Sequence, residues 1–190
     1  MRTGTRTAGP IERRELLAMI AAAVAVNLVG ALGVPFTDPG GAWFATLALP
    51  AFYPPNWAFG VVWPILYALM GVAAVLVYRE GRARDAARPL NGGGLLPANR
   101  PTRVALGLFA VQLVVNVAWS PVFWGLQRPD LGLGVLLALL PLVVATIVAF
   151  DRLDRRAAVC LVPYLAWVLF ATVLNYGIWS VTDPCLLRSV

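Results

Sequence analysis

The sequence predicts an all-α integral membrane protein, a bundle of five transmembrane helices, and three observations carry that prediction. First, 60% of the 190 residues are apolar and 13% are charged, against roughly 45–50% and roughly 25% in ordinary soluble domains. A chain this short cannot bury such an excess inside one globule, so a soluble enzyme is excluded. Second, the apolar residues gather into five runs without Asp, Glu, Lys or Arg, each of at least the roughly 18 residues that a membrane helix needs. Third, the remaining charges fall between the runs with a marked sidedness.

The elements follow in order. Residues 1–12 read as a disordered cytoplasmic tail ahead of a membrane domain over 13–182. The first run, 16–36, follows Arg13 and Arg14 as a signal peptide would, but it is too long. Pro35-Phe36-Thr37-Asp38 is also no small-residue cleavage site, so the run is a retained helix. In the 37–56 loop, Trp43-Phe44-Ala45-Thr46-Leu47 can make one or two amphipathic turns. Pro50, Pro54 and Pro55 then hold the chain extended. The loop serves either as an interfacial anchor or as a lid folded over the outer end of the bundle.

The second run spans 57–78 and the third 104–126. Between them lies 79–103, with Gly92-Gly93-Gly94, Pro97 and Pro101, a flexible cytoplasmic loop. The fourth run spans 131–150, the fifth 157–181, and 183–190 is a C-terminal tail. Pro64, Pro121, Pro141 and Pro163 lie inside runs, where neighbours can satisfy the freed carbonyls; bends there would help to open a cavity. Cys160 and Cys185 sit near opposite ends of the fifth run, roughly 37 Å apart at helical rise, too far to pair.

Every basic residue is an arginine. Four precede the first run, six lie between the second and third and three between the fourth and fifth, whereas the other side holds only Arg128 and Arg188. The positive side is cytoplasmic, which places the N-terminus inside and the C-terminus outside. The pI of about 10.1 is therefore a topology signal next to anionic lipid rather than a nucleic-acid footprint. The chain has no His, hence no imidazole base, no His-ligated metal and no proximal-His haem site. Spans without charge argue against a proton pump or cation channel.

What the spans carry instead is aromatic and amide. Phe59, Trp63 and Tyr67 recur at i, i+4 and i+8, continued by Met70 and Gly71. Gln112, Asn116 and Trp119 share a face with Phe123, and Trp167, Ala171, Leu174 and Asn175 share another. Trp57 and Trp179 fit an interfacial belt, and amides can simply hold helices together. Trp63, Trp119 and Trp167 lie deeper and share faces with amides, which predicts a flat-sided apolar cavity suited to a large planar ligand or a sterol.

These residues resemble the TspO/translocator-protein family, the tryptophan-rich sensory proteins or peripheral-type benzodiazepine receptors. Three blocks carry the resemblance: Trp43-Phe44 through Pro54-Pro55-Asn56-Trp57-Ala58-Phe59-Gly60 to Met70-Gly71, Gln112 through Asn116-Val117-Ala118-Trp119-Ser120-Pro121 to Gly125, and Pro163-Tyr164 through Trp167 and Asn175-Tyr176 to Trp179. The family implies a five-helix bundle, usually a homodimer in the lipid bilayer, that binds porphyrins, cholesterol and benzodiazepine-type drugs. It implies protoporphyrin IX as ligand with no required cofactor, in tetrapyrrole sensing, transport or regulation. Carried over by motif, the lining comprises Trp43, Phe44, Leu47, Pro50, Trp57, Phe59, Trp63, Tyr67, Asn116, Trp119, Phe123, Trp167, Ala171 and Leu174. In some bacterial members two tryptophans matching Trp63 and Trp167 are implicated in light-dependent porphyrin breakdown.

Several positions depart from the family. Leu49 stands where a basic residue often precedes the loop proline. No Lys or Arg follows Tyr176 before Arg188, so the cholesterol-recognition pattern of the fifth helix is absent, although Val75, Tyr78 and Arg82 fit it loosely. The Gly134/Ala138 pair could pack either helices or subunits. With no nucleophile–base pair and no metal cluster in the bundle, binding is favoured over catalysis; tryptophan photochemistry would require neither. The readings set beside tetrapyrrole binding are a light- and oxygen-dependent porphyrin-degrading enzyme and a cholesterol or lipid transporter or scaffold.

Overall fold

The computed structural model describes residues 11–86 and 99–182. The tail over 1–10, the glycine-rich part of the loop over 87–98, and 183–190 with Cys185 lie outside the described residues. The chain forms α1 (Arg13–Gly30) with a 3-10 extension (Ala31–Phe36), a one-turn α2 (Ala42–Ala45), α3 (Asn56–Ala86), α4 (Arg100–Ser120) with a π-turn (Pro121–Gly125), α5 (Pro129–Asp151) and α6 (Arg155–Val181). Among the described residues there is no strand. Five helices are long and apolar enough to cross a membrane.

The long helices pack as a ring: α1 on α3, α3 on α6, α6 on α5, α5 on α4, and α4 back against α3 and the 3-10 extension of α1. Between membrane helices lipid is as apolar as leucine, so close backbone approach and buried polar links hold the ring. Gly71 is the clearest case of close approach: a Cβ there would come within 2.6 Å of the Ala22 backbone, so α1 and α3 cross where only glycine fits. Tyr67 similarly lies over Gly30, and the Asn27 amide of α1 donates to the Pro64 carbonyl of α3 at 3.3 Å. Gly134 meets nothing within 4 Å and Ala138 is exposed, so within the protomer this small-residue pair packs no helix.

Two helix ends differ from the apolar runs. α3 continues past Tyr78 to Ala86, so 79–86 is helix and not loop. The charges there have partners: Arg79 Nε lies 2.6 Å from Glu15 Oε1 of α1, and Arg84 pairs with Glu80 one turn away. Asn99 then caps α4 by accepting from the Thr102 amide, and it donates to Asp85 and the Gly81 carbonyl. At the other end, α4 does not stop at Pro121 but widens into the π-turn, closed by the Leu126 amide on the Pro121 carbonyl at 2.9 Å. Pro64, Pro141 and Pro163 sit within unbroken helices, with exposed side chains.

Candidate functional site

One end of the ring is closed by the α1–α3 loop. The Ala48 amide donates to Thr182 Oγ1 at 3.3 Å, and Pro50 and Phe52 lie against Gly177. The loop thus lies over the end of the bundle, the second of its two sequence readings. Beneath it Phe44 and Leu47 are buried in a cluster with Phe123, Leu174 and Ile178, set apart from the main core.

The aromatic side chains of this end form one connected series of ring contacts. Trp119 stacks on Phe123 (centroids 4.8 Å apart), Phe123 meets Trp43 edge-on (5.6 Å), and Trp43 meets Trp124 (6.0 Å). Phe44 touches Trp124 and Tyr53, Tyr53 touches Phe59, and Phe59 touches Trp167. Trp167 then meets Trp63 edge-on at 6.4 Å, and Trp63 stacks on Tyr67 at 5.3 Å. Offset and edge-to-face pairs at these separations are favourable contacts, so the stripes meet one another ring to ring.

Amides and hydroxyls lie among and below the rings. Tyr67 donates to Asn116 Oδ1 (2.8 Å) and Tyr164 to Gln112 Oε1 (2.9 Å). Trp119 Nε1 donates to Asn175 Oδ1 (3.1 Å), whose Nδ2 donates to the Pro129 carbonyl at the start of α5 (2.7 Å). Among these described side chains two buried donors have no hydrogen-bond partner, Trp167 Nε1 and Gln112 Nε2. A buried donor left unpaired costs about 1–3 kcal/mol, which an acceptor arriving with a bound molecule would recover. Among the described residues no group of His, Cys, Asp or Glu could hold a metal, and Cys160 is a free thiol on α6.

The TspO/MBR family model matches residues 19–180. The chain belongs to the TspO/MBR family. It is 37% identical to the tryptophan-rich protein TspO of Chlorobaculum tepidum, over 79% of this chain and 86% of that one. It is 37% identical to the protein CrtK of Rhodobacter capsulatus, over 82% and 87%. With the human translocator protein it shares 38% identity over 72% and 73%.

Of the lining that TspO/MBR membership suggests, the fold brings most residues to the loop-covered end. Trp43, Phe44, Phe59, Trp63, Tyr67, Trp119, Phe123 and Trp167 form the ring series. Leu47 and Leu174 pack beneath the loop, Pro50 lies over α6, Asn116 holds Tyr67, and Ala171 packs beside the rings on the main core. Trp57 does not join them. At the start of α3 it is 71% exposed and, among the described residues, makes no ring contact with the series, in keeping with the interfacial-belt reading of its place. Met70 and Gly71, which continue the Trp63 stripe, turn away into the core and the α1 contact. Sequence spacing missed Trp124, Tyr53 and Phe170 as members of the series. Trp124 follows Phe123 directly, a spacing that points away on an α-helix; in the π-turn both reach Trp43. Pro121 was the available signal, since π-bulges often mark functional sites.

Proposed function

We propose that this chain binds porphyrins, protoporphyrin IX in particular, and other planar hydrophobic molecules among the rings beneath the α1–α3 loop, acting in tetrapyrrole sensing, transport or regulation. The observation that carries the proposal is the unbroken ring series from Trp119 to Tyr67, with the unpartnered Trp167 Nε1 inside it. A planar macrocycle would insert by parting rings now in contact and would replace their π-contacts with its own. Its peripheral acceptors would meet the free indole N–H. With no His in the chain, stacking and shape rather than axial ligation would hold it. The bundle would work as a homodimer, N-terminus in the cytoplasm and C-terminus outside.

The edge-on contact of Trp63 with Trp167 favours a second reading, light-dependent porphyrin breakdown through these two indoles. The test follows protoporphyrin IX absorbance with purified protein in light and in darkness. A spectral shift stable in both supports binding alone. Protein-dependent bleaching in light, abolished by Trp63→Phe or Trp167→Phe, supports breakdown. A spectrum that the protein leaves unchanged refutes both.

A further inference from the structure

The opposite end of the bundle carries a feature that porphyrin binding does not use. Where α5 ends and α6 begins, a groove of about 310 Å³ lies between the two helices. Its floor is Ala158, 5% exposed, and its walls are Val148, Val159 and Val162, each about half exposed. Asp151, Arg152 and Arg155 stand at its rim. This is the arginine-rich end of the bundle, since Glu15 of α1 meets Arg79 of α3, and Arg84 reaches the Leu153 carbonyl.

The neighbouring arginines have partners: Arg156 pairs with Asp154 and Arg84 with Glu80. Among the described residues Arg152 and Arg155 form no ion pair. The rim therefore presents two unpaired guanidiniums and one carboxylate, a net single positive charge directly above an apolar slot. Guanidinium forks match phosphate oxygens in geometry as well as charge. The carboxylate disfavours a second negative charge on the guest. The apolar slot has no use for a free anion but matches a hydrocarbon chain.

We propose that this groove binds one anionic phospholipid, its phosphodiester on Arg152 and Arg155 and an acyl chain over Ala158 between Val148, Val159 and Val162. The test is native mass spectrometry of the protein in a neutral detergent, titrated with phosphatidylglycerol or with phosphatidylcholine of the same chains. One phosphatidylglycerol is retained with about fivefold preference, the equivalent of the ~1 kcal/mol that a basic residue contributes at an anionic surface. The preference disappears in R152Q/R155Q. It also disappears in Val159→Trp, which keeps both arginines and fills the slot. Excess glycerol 3-phosphate leaves the lipid in place. Equal retention of the two lipids by the unaltered protein would overturn the proposal, whatever the variants do. Preference surviving Val159→Trp would show diffuse surface charge instead, and displacement by glycerol 3-phosphate would show a free-anion site. Circular dichroism in the same detergent confirms that each variant remains helical.

Discussion

Asn175 has two jobs at once: it accepts from Trp119 Nε1 and donates to the Pro129 carbonyl, joining α4, α5 and α6 at the edge of the ring series. Asn175→Ala strips both partners of their hydrogen bonds. The expected loss is about 1–3 kcal/mol, at the lower end if membrane-buried bonds are weak. Trp119→Phe removes one bond only and should lower the melting temperature in detergent less. Equal melting of both variants and the parent would contradict the assigned roles. At this scale much was legible. The spacing of Phe59, Trp63 and Tyr67, and that of Asn116, Trp119 and Phe123, put each set on one helix face, and the fold brings those faces together. Trp57 shares motif and residue type with the lining, yet its place at the helix start sends it outward. Its position at the start of the second run was the sequence signal that set it apart from Trp63, and its exposure agrees with that signal.

Among the elements, the five helices were legible because hydrocarbon thickness sets their length and excludes charge. Their ends were not. α3 extends over Arg79, Glu80 and Arg84 because Glu15 and the α5–α6 turn supply partners, and a hydropathy run cannot see partners from other helices. The α1–α3 contact yields two predictions. Gly71→Val drives methyl groups into the Ala22 backbone, where real Cβ atoms cannot go. Overpacking typically costs 1–3 kcal/mol or more, so the variant should melt markedly lower or fail to accumulate in the membrane, whereas Gly134→Val, which meets nothing within the protomer, should leave the packing of the protomer's helices as in the parent. The second prediction concerns pH. The Glu15 carboxyl is held below its ordinary range, first by the Glu12 backbone N–H and then by the Arg79 guanidinium. A depressed carboxylate stabilises the fold above the ordinary range and ceases to do so as acid titrates the folded state. The melting temperature should fall with acidification through and below the carboxylate range, and Glu15→Gln should flatten that fall. A parent curve that is flat there would contradict the pairing.

For the whole molecule, the distribution of thirteen arginines against two predicts a direction through the membrane. A reporter fused after Val190 should be active outside the cytoplasm, and cytoplasmic activity would refute that orientation. The ring order of the helices was not legible, because all five runs are apolar around most of their circumference and periodicity could not say which faces meet. Nor was the closure of the rings on one another. Spacing predicted a flat-sided apolar cavity; the fold shows indole and phenyl rings of the stripes in contact, so that the ligand proposed above would enter by exchanging ring contacts. The measurement that tests this most directly is tryptophan fluorescence during titration of the purified protein with protoporphyrin IX. The account predicts saturable quenching at micromolar porphyrin, weakened about tenfold by Trp167→Phe, which deletes the unpartnered N–H and is equivalent to ~1.4 kcal/mol, and unaffected by Trp57→Phe. Quenching that is absent, does not saturate, or is lost with Trp57 and retained without Trp167 would contradict it.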